Sequence, residues 1–269
     1  VVARRELIDI IYCCAAPNRS RTVSFLRTVP YVDIMHSQRR TPTMKQLLIL
    51  FFIALLMIPE ASAQEWANFG RFAEDNAALG APADGERRVV FMGDSITEGW
   101  SELYPDFFED QPFINRGISG QVTAQMLLRF REDVLDLNPS IVFILAGTND
   151  IALNQGPIPL ETVAGHIESM AELAWANGVD PVICSVLPAS HYPWREGVDP
   201  STEIPKLNAM LQAYAQKMGF RYLDYFGAMT DGNNGLQADL TSDAVHLTEA
   251  GYARLSELAT AMLTTFEPK

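Results

Sequence analysis

Five short apolar runs, separated by helical stripes, constrain this chain more than any other feature. They are Val89-Val90-Phe91-Met92, Phe113-Ile114-Asn115, Ile141-Val142-Phe143-Ile144-Leu145, Pro181-Val182-Ile183-Cys184-Ser185-Val186 and Arg221-Tyr222-Leu223. Runs this short and this apolar suit strands covered on both faces. Apolar residues between and after them step by three and four. One stripe is Leu160, Val163, Ile167, Met170 and Ala174; another is Ile204, Leu207, Leu211, Tyr214 and Met218. A third, Tyr252, Leu255, Ala259, Met262 and Phe266, is preceded by Thr248, which is placed to cap a helix. The stripes read as core. The alternation predicts a parallel sheet with helices on both faces. In such sheets ligands bind beyond the carboxyl ends of the strands, and Ser95, Gly117 and Asn149 each fall just past an expected strand.

The pattern starts only after residue 63. Residues 1–43 show no sustained periodicity and are too few to bury a core alone, so they read as a segment upstream of the true start. Residues 44–63 have the layout of a secretory signal peptide: Met44-Lys45, an apolar run from Leu47 to Ile58, then Pro59 and Ala61-Ser62-Ala63. The run is short for a bilayer span, although a membrane anchor is the alternative reading. No cysteine follows it, which argues against a lipid anchor, and Arg39-Arg40 leads into Thr41-Pro42-Thr43 rather than apolar residues. Cleavage after Ala63 leaves residues 64–269 as one α/β domain, secreted or periplasmic. The leader holds 8 of the 20 Lys+Arg and 4 of the 33 Asp+Glu, so residues 64–269 carry 12 basic and 29 acidic residues, a net of −17. Such a surface repels nucleic acid and anionic lipid. Cys13 and Cys14 fall in the leader, which leaves Cys184 alone, in an apolar run, with no internal disulfide to form.

Three strings carry the chemistry. Gly93-Asp94-Ser95-Ile96-Thr97 turns out of the first run, Gly147-Thr148-Asn149-Asp150 out of the third, and Asp243-Ala244-Val245-His246 lies near the C-terminus. A serine hydroxyl is a weak nucleophile and needs a base. Three histidines follow residue 63. His166 sits in a helical stripe and His191 in a loop, whereas His246 alone has a carboxylate, Asp243, at a spacing that one tight turn can close. Asp243 would fix the imidazole tautomer. Asn149 Nδ2 with the backbone N–H groups of Gly117 and Ser95 would bind an oxyanion. Taken singly, each has a bland reading: a serine capping a helix, a histidine at a helix entry, an asparagine in a turn. Together they are the parts for acyl transfer through serine. Asp231-Gly232-Asn233-Asn234-Gly235 lacks the Gly and Glu of a calcium loop and reads as a turn.

With Asn115-Arg116-Gly117-Ile118-Ser119-Gly120 between the first two, these strings resemble the SGNH hydrolases, or GDSL esterase/lipase family, from about Trp66 to the C-terminus. The resemblance places the family's serine on Ser95, its glycine on Gly117, its asparagine on Asn149, and its histidine and aspartate on His246 and Asp243. Many relatives have D-G-V-H-P where this chain has Ala244 and Leu247. The resemblance implies a flavodoxin-like three-layer α/β/α fold with a five-stranded parallel sheet, no cofactor and no metal. It implies an exported esterase removing short acyl groups, acetyl first, from small molecules or a polysaccharide such as xylan. An arylesterase, lysophospholipase, thioesterase or acyltransferase stays open within the class, and a carbohydrate-binding module on an inactive hydrolase fold outside it. Trp100, His191, Tyr192 and Trp194 are candidate substrate contacts, with core packing as the competing reading.

Overall fold

A computed structural model of the chain describes residues 43–45 and 66–266. The chain divides into units 1–59 and 60–269, and the account below concerns the second. The expected upstream segment, the signal peptide, its cleavage site after Ala63, and Cys13 and Cys14 lie outside the described residues.

Five strands pair in parallel: β1 (Val89–Gly93), β2 (Phe113–Gly117), β3 (Ile141–Leu145), β4 (Asp180–Cys184) and β5 (Arg221–Leu223). Their order is β2-β1-β3-β4-β5, the flavodoxin-like winding with its switch point between β1 and β3. Each connection carries helix, as parallel crossovers require. In chain order the helices are α1 (Ala73–Leu79), α2 (Ser95–Leu103), α3 (Thr123–Asp133), α4 (Thr148–Ile151), α5 (Leu160–Ala176), α6 (Pro200–Met218), α7 (Tyr225–Met229) and α8 (Glu249–Leu263).

The two-residue period of β1 sorts its side chains between two cores. Val90 and Met92 pack with Met126 and Phe130 of α3, Ile167 and Met170 of α5, and Leu207 and Leu211 of α6. Val89 and Phe91 pack with Ile96 and Trp100 of α2, Tyr225 of α7, and Tyr252 and Leu255 of α8. The Phe91 ring lies 4.8 Å from Phe143 and 5.2 Å from Trp100. Burying an aromatic of this size contributes about 1.5–3 kcal/mol. The α6 stripe is fully buried through Leu211, but Met218 at its end is exposed. Thr248 caps α8 as expected, its hydroxyl accepting the Gly251 N–H.

The winding fixes the site. β1 and β3 are neighbours whose crossovers leave in opposite directions, so the chain segments that follow them flank a crevice. Ser95 follows β1 and Asn149 follows β3.

Candidate active site

Asp94 makes the turn that presents Ser95. Its Oδ1 accepts the Ile96 N–H at 3.0 Å and caps α2, so Ser95 becomes the first helical residue with its N–H outside the helical ladder. Ser95 Oγ lies 3.1 Å from His246 Nε2, and His246 Nδ1 lies 2.7 Å from Asp243 Oδ2. The other Asp243 oxygen accepts the backbone N–H groups of Val245 and His246. Burial alone would raise the Asp243 carboxyl, but the bonds from His246 and Val245 hold it below its ordinary value. An ionised Asp243 can only accept, so the proton sits on Nδ1 and Nε2 is left to accept from Ser95. The tight turn places Ala244 at φ 75°, the left-handed region that glycine favours. An alanine holds that conformation at a cost of about 1–2 kcal/mol.

Asn149 is buried, and its Nδ2 donates to Gln121 O at 3.0 Å. An amide nitrogen carries two hydrogens, so one remains for a ligand. Gly117 does not fill the role expected of it. Its N–H donates to Asn115 Oδ1 at 2.8 Å, and a Cβ there would strike the backbone of Thr97 and Glu98. Gly117 is a glycine because α2 crosses it closely.

The free donor lies three residues on. Ile118 N–H donates to Gly93 O, Ser119 N–H to Glu98 Oε2, Gln121 N–H to Ile118 O, and Val122 N–H to Gln125 Oε1. Gly120, exposed and at φ 76°, alone in this loop has an N–H without an acceptor among the described residues. It precedes the residue whose carbonyl Asn149 touches.

A buried residue ties these segments together. Arg129 donates to Gly93 O, Arg116 O, Gln121 Oε1 and Asp133 Oδ2, which joins the ends of β1 and β2 to the Gly120 loop. Its one sequence signal is the i,i+4 pair with Asp133, with Arg129 itself set between the apolar positions Met126 and Phe130.

The candidate substrate contacts separate. Trp100 is 2% exposed, stacks on Phe107 and donates to Ser256 Oγ, so it belongs to the core. Tyr192 is also buried, its hydroxyl 3.0 Å from Thr148 Oγ1. His191 is exposed and paired with Ser190. Trp194, 42% exposed, lies 5.9 Å from the His246 ring and stands at the site. A cavity of about 440 Å³ is lined by Asp150, Leu153, Leu160, Glu203 and Lys206 and includes neither Ser95 nor His246.

Burial raises the Asp94 carboxyl to about 7, against the opposing Ile96 N–H and His246. An acid whose folded pKa is raised is fully penalised only where it ionises. The contribution of Asp94 to wild-type stability therefore falls as pH rises from about 4 to about 7. Asp94→Asn keeps the oxygen that accepts from Ile96 and removes the penalty. The stability difference between variant and wild type should grow over that window to about 2–4 kcal/mol and then level off. Thermal melts from pH 4 to 8 measure it, and parallel curves would contradict it.

The GDSL-like Lipase/Acylhydrolase family model matches residues 91–254. A GDSL-like lipase structure from Bacteroides thetaiotaomicron is 45% identical, with TM-score 0.72, and the match covers 75% of this chain and 99% of that one. A structure from Bacteroides fragilis is 43% identical, also with TM-score 0.72, covering 74% and 97%. The uncharacterized lipoprotein YqeF of Bacillus subtilis is 31% identical over 126 residues, 40% of this chain. The match spans about half, 52%, of that curated relative.

Proposed function

Because this chain belongs to the GDSL-like lipase/acylhydrolase family, we propose that it is a metal-independent serine esterase that removes short acyl groups, acetyl first. The observation that carries the reading is the continuous hydrogen-bonded line from Ser95 Oγ through the His246 ring to Asp243. His246 Nε2 takes the Ser95 proton as Oγ bonds to the ester carbonyl carbon. The N–H groups of Ser95 and Gly120 and the spare hydrogen of Asn149 Nδ2 receive the oxyanion. Collapse breaks the ester C–O bond, and His246 returns the proton to the leaving alcohol. Water repeats the sequence, giving the acid and free Ser95. The His246 and Asp243 side chains are 39% and 37% exposed, so water reaches an acyl-serine and hydrolysis is favoured over transfer. A binding module needs no aligned nucleophile and base, which argues against that alternative.

Export is part of the reading. It rests on the leader at residues 44–63 and on a relative named a lipoprotein. No helix among the described residues is long and apolar enough to cross a membrane. A polysaccharide such as xylan is the proposed acyl carrier, because the triad opens to solvent beside the exposed Trp194 ring, a surface on which a sugar can stack.

Purified protein should hydrolyse p-nitrophenyl acetate with kcat/KM about tenfold or more above the decanoate ester. It should also release acetate from acetylated xylan. Preference for lysophospholipid or long esters would replace the short-acyl reading, and no turnover of any ester would remove the esterase.

A further inference from the structure

Asn149 works as a donor only if its amide faces the right way, and an amide can be flipped at little steric cost. Three hydrogen bonds in line decide its direction here. Trp194 Nε1 donates to Asn154 Oδ1 at 3.2 Å, Asn154 Nδ2 donates to Asn149 Oδ1 at 2.7 Å, and Asn149 Nδ2 donates to Gln121 O at 3.0 Å. Both ends fix the polarity. A backbone carbonyl can only accept and an indole N–H can only donate, so neither asparagine can turn over without leaving two like groups facing each other.

The backbone is built to bring Asn154 there. Leu153 adopts φ 57°, and the Asn154 N–H then donates to Asn149 O. Arg195 clamps the carbonyls of Ala152 and Leu153 from the loop that carries Trp194. That Trp194 ring lies against His246. The line therefore runs from beside the base to the amide of Asn149.

We propose that Asn154 is a positioning residue: its side-chain amide, anchored by Trp194, holds Asn149 with one N–H aimed at the reacting carbonyl oxygen. This rests on the esterase reading, in which Asn149 binds the oxyanion.

The substitutions that test it are Asn154→Ala and Asn154→Asp. Alanine removes the donor to Asn149 Oδ1 and leaves Gln121 to orient the amide. Aspartate has nearly the same shape, but its carboxylate can only accept. It draws Asn149 Nδ2 toward itself and turns Oδ1 toward the oxyanion. With p-nitrophenyl acetate, kcat should fall about tenfold in Asn154→Ala and about 100-fold in Asn154→Asp, with KM within a few-fold; both variants stay folded, and Asn154→Asp melts lower because the turned Oδ1 faces Gln121 O. In an Asn149→Ala background, Asn154→Asp should add no further loss. A packing role predicts the opposite order, aspartate milder than alanine, with losses that persist without Asn149. Either result would overturn the proposal.

A second readout is independent of turnover. The side-chain NH₂ pair of Asn149 in a ¹⁵N–¹H spectrum, identified by its disappearance in Asn149→Ala, should move in both Asn154 variants. An unmoved pair overturns the positioning role even if no ester is hydrolysed. If the pair moves while Ser95→Ala keeps full esterase activity, the positioning stands and the serine mechanism fails.

Discussion

Ser95→Ala should lower kcat on p-nitrophenyl acetate by about 10⁴–10⁶, and His246→Ala should fall about as far. The two losses share one cause. Without Nε2 the 3.1 Å contact to Oγ has no acceptor for the serine proton, and without Oγ the imidazole has nothing to activate. The double variant should therefore be no worse than either single one, because groups that act as a unit do not add. His191→Ala and His166→Ala are the controls. His191 pairs with Ser190 on the surface, and His166 Nδ1 contacts Thr123 Oγ1, which in turn donates to Asp150. Neither ring touches Ser95 in these bonds, so both variants should keep turnover within about tenfold of wild type. Steady-state kinetics on folded proteins decides it. Collapse of His191→Ala with survival of His246→Ala would assign the base wrongly.

The sheet was legible because parallel strands are apolar on both faces, a signal that needs no knowledge of partners. The expected run Ile141–Leu145 is β3 without change. Ends were harder. β4 stops at Cys184 rather than Val186: the Ser185 N–H still donates to Leu223 O of β5, but its hydroxyl accepts the Phe226 N–H, and the Val186 N–H donates to Asn208 Oδ1 instead of to a strand. Asn208 and Phe226 lie 22 and 41 residues downstream of the groups they bond, and no local pattern announces them.

The site divides in the same way. Asp243 and His246 were legible because three residues and one turn hold both. Gly117 was misread because Asn115-Arg116-Gly117-Ile118-Ser119-Gly120 contains two glycines, and which amide stays free depends on Asn115 folding back onto Gly117. Trp100 and Tyr192 carried two readings, core or substrate contact, because sequence gives an aromatic its size but not the face it covers, and the core reading holds for both. Both are buried, with their polar atoms satisfied by Ser256 and Thr148. Arg129 and Asn154 passed unnoticed for a related reason. Their work is to hold carbonyls and amides brought together only by the fold.

Asn149→Ala should lower kcat by about 10²–10³ with a smaller change in KM. The ester carbonyl is a weak acceptor in the ground state, and the oxyanion is a strong one. A donor fixed in advance therefore acts mainly on the barrier. Asn149 is fixed: it is buried, and its oxygen and one hydrogen are already committed to Asn154 and Gln121. Asn149→Asp should be no better than alanine. A carboxylate has no hydrogen to give, and it would face both the Gln121 carbonyl and the developing charge. Catalysis left in Asn149→Ala would come from the N–H groups of Ser95 and Gly120, which no side-chain substitution removes. Gly120 offers the complementary test. At φ 76° a side chain strains the loop that carries the donor, so Gly120→Val should lower kcat while the Ser95–His246–Asp243 line stays in place. Gly117→Ala should instead lower stability first, because its Cβ meets the α2 backbone. Kinetics and melting temperatures on the set separate the two glycines. If Asn149→Ala kept wild-type kcat, Asn149 would be a turn residue, and the oxyanion would rest on backbone alone.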